Sequence, residues 1–138
     1  MPQVHINYLA VVVAAAVAFA IGGLWYSPLL FAKQWMKAHG YTEENVQEMQ
    51  KGAAKAYTVS ILCHLLIALA IAVLVGYLHL AACVQGLKLG LLVWGGFALP
   101  LGLMAHAFSN KPITGFAIDS GYQLVYLPIM GSIITVWN

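Results

Sequence analysis

Long stretches without charge dominate this sequence. The first, residues 6–26, contains no charged side chain, and a helix of about 20 residues crosses the roughly 30 Å hydrocarbon layer of a bilayer. Similar apolar runs follow at about residues 54–80, 86–108 and 116–137. Only 7% of the residues are charged, against about a quarter in a soluble domain. We therefore predict an all-α integral membrane protein, a single domain with four transmembrane helices in the lipid bilayer.

The pattern predicts an up-down-up-down bundle whose first loop, about residues 27–53, is amphipathic and cytoplasmic. Ser27 and Pro28 are typical of an N-cap followed by proline in the first helical turn. We expect an interfacial helix from there to Gly40, and a short polar helix capped by Thr42. Aromatic rings and lysine stems suit the boundary between membrane and water. The expected interface anchors are Trp25, Tyr26, Lys33, Trp35 and Lys37.

Lysines indicate the orientation of the bundle. Lys33, Lys37 and Lys51 lie in the first loop and Lys55 at its junction with the second span, and the third loop carries Lys111, whereas only Lys88 lies near the second loop. Because cytoplasmic loops are enriched in positive charge, both lysine-bearing loops are predicted to be cytoplasmic, with both termini on the outer side of the membrane. No basic segment precedes the first span, so we expect that span to be retained and not cleaved as a signal peptide.

Small residues recur at helical spacing in three spans, as in helices that approach closely within lipid. The stripes comprise Ala14, Ala18, Gly22, Ala68, Ala72, Gly76, Gly86 and Gly90. Packing within one bundle explains them. In a second interpretation at least one stripe, most readily Gly86 and Gly90, faces a copy of the chain. Four spans offer more small faces than one bundle uses, so we favour a homo-oligomer.

Polar side chains in the spans suggest a functional site, because an ionisable group at membrane depth costs several kcal/mol unless it is paired or hydrated. Asp119 is the only acidic residue in a predicted span. We predict a polar pocket in the cytoplasmic half, lined by Ser60, His64, His106, Asp119, Tyr122 and Tyr126. Alternatively, Asp119 lies close enough to the interface to be hydrated or paired with Lys111, and the histidines donate to carbonyl groups.

The sequence gives little support for a catalytic, metal, cofactor or nucleic-acid site. No nucleophile elbow, zincin helix or phosphate-binding loop occurs, so we predict no catalytic residues, no metal and no cofactor. His5, His79 and Cys83 near the outer surface leave a weak possibility of a metal site. The net charge of +2 without a basic run gives no indication of nucleic-acid binding.

Three motifs resemble a known family. The first span opens with NYLA at residues 7–10, continues into GLWYSPLLF at residues 23–31 and is followed by Lys33 and Trp35; GYQLV stands at residues 121–125. Over nearly its whole length the chain resembles the bacterial membrane family called domain of unknown function seventeen sixty-one. The resemblance implies a four-span membrane protein of similar size. It implies no activity and no catalytic residues.

Three functions fit these observations. The first is a homo-oligomeric pore or carrier for a small solute or ion that uses the polar pocket. The second is a non-catalytic structural or accessory subunit of a larger membrane complex. The third is an intramembrane metal or redox protein, for which the expected motifs are absent.

Overall fold

The computed structural model describes residues 3–137, and within that range the chain forms six helices. The fifth is one continuous helix with a π-helical segment, Trp94–Ala98, between its α-helical parts. The helices are α1 Tyr8–Trp25, α2 Ala32–Ala38, α3 Glu43–Lys51, α4 Ala53–Tyr77, α5 Cys83–Ala107 and α6 Ile113–Val136. No strand occurs among the described residues.

Three of these helices are long and apolar enough to cross a membrane, namely α1, α4 and α5. Asn7 starts α1, because its side chain accepts hydrogen bonds from the backbone N–H groups of Leu9 and Ala10. The fourth predicted span coincides with α6, which has 24 residues but is not among the three apolar helices. Its polar side chains, among them Asp119 and Gln123, lower its hydropathy.

Helix α6 lies at the centre of the fold and contacts α1, α2, α4 and α5. It runs antiparallel to α1: Trp25 bonds to the Ile118 carbonyl oxygen near one end, and Asn7 donates to the Trp137 carbonyl oxygen at 2.6 Å near the other. Its buried residues include Met130 and Ile134, each no more than 2% exposed. The most polar long helix is therefore shielded by its more apolar neighbours.

Helices α5 and α6 touch backbone to backbone. A Cβ atom added at Gly86 would clash with the Gly131 carbonyl group, and one added at Gly90 would clash with the carbonyl group of Leu127. The interpretation that Gly86 and Gly90 face a second copy of the chain is therefore wrong. Both glycines pack inside the chain, because only a residue without a side chain permits this approach.

The other small residues also pack within the chain. Ala14 and Ala18 of α1 and Ala68 and Ala72 of α4 are buried in the apolar core. Gly22 lies against the Tyr122 ring, where an added Cβ would be 2.7 Å from the hydroxyl oxygen. Gly76 lies against the Val4 side chain in the same way.

One helix start in the first loop was predicted wrongly and another was confirmed. Residues 27–31 form turns, and α2 begins at Ala32 instead of Pro28. The Ser27 hydroxyl does not cap the new helix, because it donates to the Leu24 carbonyl oxygen at the end of α1. Thr42 does cap α3: its hydroxyl oxygen accepts from the Asn45 N–H at 3.4 Å.

Candidate functional site

Three aromatic side chains from the end of α1 and from α2 donate hydrogen bonds to α6. Trp25 Nε1 donates to the Ile118 carbonyl oxygen at 3.0 Å. The Tyr26 hydroxyl donates to Asp119 Oδ1 at 2.5 Å, and Trp35 Nε1 donates to the same oxygen at 3.1 Å. We call Trp25, Tyr26 and Trp35 the aromatic clamp. These predicted interface anchors therefore direct their polar atoms at α6, while Lys33 and Lys37 remain exposed.

The turn between α1 and α2 positions the clamp. The Phe31 N–H donates to the Trp25 carbonyl oxygen at 3.1 Å, and the Ala32 N–H donates to the Ser27 carbonyl oxygen at 3.2 Å. The Phe31 ring also packs on the Trp25 ring, with centroids 4.8 Å apart. The chain thereby folds back on itself, which brings Trp35 on α2 to the same carboxylate as Tyr26.

Asp119 keeps one carboxylate oxygen for further contacts. Both clamp hydrogen bonds end on Oδ1, and a carboxylate has about four acceptor positions on its two oxygens. Within the part of the chain that the structure describes, Oδ2 therefore keeps its acceptor capacity. The protein therefore fixes the carboxylate through Oδ1, while Oδ2 can accept further hydrogen bonds.

A second polar cluster lies deeper in the bundle, around His64. The Tyr122 hydroxyl donates to the Ala18 carbonyl oxygen at 2.6 Å and lies 2.9 Å from His64 Nε2. Ser60 Oγ lies 3.4 Å from Nδ1 on the other side of the same ring. The two ring nitrogens of His64 therefore connect Ser60, on its own helix, with Tyr122 on α6.

Aromatic contacts connect the two clusters. The Tyr26 ring meets the Tyr122 ring edge to face at 5.5 Å, and Tyr126 contacts Tyr122 at 4.7 Å and His64 at 5.1 Å. The predicted pocket residues are thus divided in the structure. Ser60, His64, Tyr122 and Tyr126 form the deep cluster, whereas His106 and Asp119 line a separate open cavity.

The cavity at Asp119 has a volume of about 320 Å³ and opens at the end of the molecule where α5 meets α6. Asp119, Ser120 and Gln123 line its deeper part on α6, and Ser109 and Lys111 line its mouth. The complete lining is Ala38, His39, Gly102, Ala105, His106, Ser109, Lys111, Pro112, Gly115, Phe116, Asp119, Ser120 and Gln123. We call this space the Asp119 cavity.

Comparison with known proteins places the chain in a family. The family model described as "Protein of unknown function (DUF1761)" matches residues 9–135. The chain belongs to this family. The match confirms the resemblance inferred from the GLWYSPLLF and GYQLV motifs. No curated protein and no solved structure matches the chain.

The part of the chain that matches the family model includes every residue of the aromatic clamp together with Asp119. The GLWYSPLLF motif supplies Trp25 and Tyr26, and Trp35 follows it. The motif therefore contains Tyr26, one of the two donors to the Asp119 carboxylate, and the family description names no activity.

His39 is a cavity residue that the sequence motifs did not reveal. Its Nδ1 donates to the Trp35 carbonyl oxygen at 2.9 Å, and its ring stacks on Trp35 at 4.1 Å and on Tyr41 at 5.7 Å. Gly115 makes room for it, since an added Cβ would lie 2.8 Å from the ring. The only signal in the sequence is the helical spacing of Trp35 and His39, which places both on one face of α2.

A second cavity of about 290 Å³ lies at the opposite end of the DUF1761 chain. His5, His79 and Gln3 line it, but Cys83 does not. Among residues 3–137 no group of three or more His, Cys, Asp or Glu side chains is positioned to hold a metal ion. The weak metal hypothesis at this end therefore gains no support from the geometry.

Proposed function

We propose that this protein is a four-span carrier of the bacterial inner membrane, which binds a small polar solute in the Asp119 cavity and passes it across unchanged. In this proposal α6 is the fourth span and the helices alternate in direction. The contacts of α6 with antiparallel α1 support that arrangement. The long loop between α1 and α4 and the mouth of the Asp119 cavity would then lie on the cytoplasmic side.

The observation that carries the proposal is the state of Asp119. A carboxylate among apolar helices is costly, and two donors on one oxygen hold it in a single orientation. Its second oxygen belongs to a residue that lines an open cavity. A carboxylate that is fixed through one oxygen, while the other is free of protein donors among the described residues, supports a solute-binding role for this cavity.

Solute flux into proteoliposomes tests the proposal. We would measure light-scattering responses to glycerol, methylammonium, acetate and glycine for the native protein and for Asp119→Asn. The amide keeps an oxygen that accepts from Tyr26 and Trp35, so the variant should fold. At least one of these solutes should permeate faster than in empty liposomes, and the substitution should reduce that flux at least tenfold.

Ser132→Ala is the matched control for this measurement. Ser132 also lies on α6, but its hydroxyl donates locally to the Pro128 carbonyl oxygen at 2.9 Å. It does not line the Asp119 cavity. Its flux should equal that of the native protein. Protein-independent leakage of all four solutes, or equal flux through Asp119→Asn, would reject the carrier.

An accessory subunit of a larger membrane complex is the second candidate. It is favoured by the exposed π-helical segment of α5, where Cβ atoms added at Gly95 and Gly96 would meet nothing within 4 Å. Glycines on an outer face allow another helix to approach closely. Native mass spectrometry from the original membrane separates the two candidates: a multiple of the 14.9 kDa chain favours a homo-oligomeric carrier, and foreign subunits in fixed ratio favour the accessory role.

A further inference from the structure

The Asp119 cavity has opposite charges at its two depths. Among the described residues, Asp119 in the deeper part and Lys111 at the mouth are the lining residues with full charges. The cavity therefore presents a negative charge at one depth and a positive charge at the other. Such a pair suits a ligand that carries both charges itself.

The deeper part of the cavity offers several hydrogen-bond acceptors. Asp119 Oδ2 is free of protein donors among the described residues, as noted above. Ser120 is 6% exposed, and its Oγ has no hydrogen-bond partner in the described part of the chain. The Gln123 amide lies four residues beyond Asp119 and lines the same space. An ammonium group has three N–H donors, which these three side chains can accept.

The mouth of the cavity offers groups that bind an anion. Helix α6 begins there after Pro112, and no side chain caps its first turn. Pro112 and Gly115 line the cavity, next to Lys111. The first N–H groups of a helix have no partner within the helix and lie at the positive end of its dipole, so they favour a carboxylate.

The separation of these two regions limits the ligand. Lys111 and Asp119 both line the cavity, and the first turns of α6 lie between them. The rise from the start of α6 at Ile113 to Asp119 is about 9 Å along the helix axis, so a ligand that reaches both regions has only a few atoms between its charged groups. A small amino acid meets this limit, and Phe116 and Ala105 provide an apolar wall for a small side chain.

We propose that the Asp119 cavity binds a small amino-acid zwitterion, with its ammonium group on Asp119, Ser120 and Gln123 and its carboxylate at the start of α6 beside Lys111. This inference rests on the proposed carrier function and adds to it the chemical class of the solute.

Ligand binding to the purified protein in lipid nanodiscs tests this inference. The probes are L-alanine and β-alanine, with ethylamine and propionate as analogues that carry one charge each. Saturation-transfer NMR should show saturable binding of at least one amino acid. Ethylamine and propionate should bind at least tenfold more weakly, because each lacks one charge-assisted contact.

Substitutions locate the binding. Asp119→Asn should weaken amino-acid binding at least tenfold, and Ser120→Ala should weaken it several-fold without affecting the clamp. Ser132→Ala should have no effect. Equal affinity for propionate, equal affinity for ethylamine, absence of amino-acid binding, or binding that is unaffected in both Asp119→Asn and Ser120→Ala would each overturn the inference.

The two proposals fail differently. If glycerol or methylammonium shows flux that depends on Asp119 while no amino acid binds, the carrier stands and the zwitterion is wrong. If an amino acid binds at Asp119 but no solute crosses the liposome membrane, the ligand class stands and the carrier is wrong.

Discussion

At the scale of single residues, Asp119 decides the organisation of the site. Its charge lies on α6 among apolar helices, and the clamp reaches it from sequence positions 93 and 84 residues away. Hydrogen bonds to a charged group contribute about 1.5–3 kcal/mol each, roughly twice the value between neutral groups. The clamp therefore holds the carboxylate and also ties the α1–α2 turn to α6.

Trp35→Phe tests the contribution of the clamp. The substitution keeps an aromatic ring near His39 and Tyr41 but removes the Nε1 donor to Asp119, so we expect the free energy of unfolding to fall by about 1.5–3 kcal/mol. Reversible unfolding in mixed micelles measures it. In an Asp119→Asn background the same change should cost less than about 1.5 kcal/mol, because the acceptor is neutral. An equal cost in both backgrounds would show that ring packing and not the hydrogen bond is responsible.

Tyr122→Phe tests the deep cluster. The change removes the hydroxyl that bonds to the Ala18 carbonyl oxygen and to His64 Nε2. Leaving the buried ring nitrogen of His64 without a partner costs about 1–3 kcal/mol, so we expect the free energy of unfolding to fall by about 1–3 kcal/mol. Tyr57→Phe is the matched control, since Tyr57 is 62% exposed and keeps its ring contact with Phe19. If both variants unfold at the same denaturant concentration, the hydrogen-bonded cluster does not stabilise the fold.

At the scale of helices, the contact between α5 and α6 depends on glycine. Gly90→Ala would place a methyl group against the backbone of Leu127 and Pro128, and overpacking of this kind costs about 1–3 kcal/mol. Gly96→Ala on the same helix is the matched control, because an added Cβ there meets nothing within 4 Å. It should be neutral or stabilising by up to about 1 kcal/mol, since alanine favours helix over glycine. Equal stabilities of Gly90→Ala and Gly96→Ala would contradict the backbone contact.

The helices themselves were predictable, while their partners were not. Long apolar runs located α1, α4 and α5, and the Thr42 hydroxyl located the start of α3. Ser27 and Pro28 misled because a serine hydroxyl can serve the helix before it as well as the one after it, and here it donates to Leu24. Spacing showed that Gly86 and Gly90 share a face, but a single sequence does not reveal which helix approaches that face.

The candidate site was also predictable only in part, because a single sequence does not reveal which distant side chains meet. Asp119 was identified as the acidic group in a span, and His106 does line the same cavity. Tyr26 and Trp35 were identified as amphipathic rings, although spacing alone does not show whether their donors reach headgroups or a distant carboxylate. Ser120 gave no signal in the sequence, since its significance arises from burial without a partner.

At the scale of the whole molecule, three apolar helices suggest a membrane protein, and a lipid environment explains why a polar helix lies at the centre. The more apolar helices α1, α4 and α5 each have exposed leucine or phenylalanine side chains, such as Leu9, Leu66 and Phe97. These surfaces suit lipid, whereas α6 buries Ser120, Tyr122 and Thr135 among its neighbours. In the proposed arrangement the Asp119 cavity and the loop from α1 to α4 lie on one side, and the start of α5 lies on the other.

Cysteine labelling in intact cells tests this placement directly. In a Cys63→Ala background the native Cys83, exposed at the start of α5, should react with a membrane-impermeant maleimide added outside. With Cys83→Ala also present, Asn45→Cys on α3 and Ser109→Cys before α6 should react only after the membrane is permeabilised.

Because positive loops are retained in the cytoplasm, positions 45 and 109 should behave alike. Labelling of both from outside would invert the orientation, whereas different behaviour of the two would show that an odd number of spans separates them and would exclude the four-span arrangement.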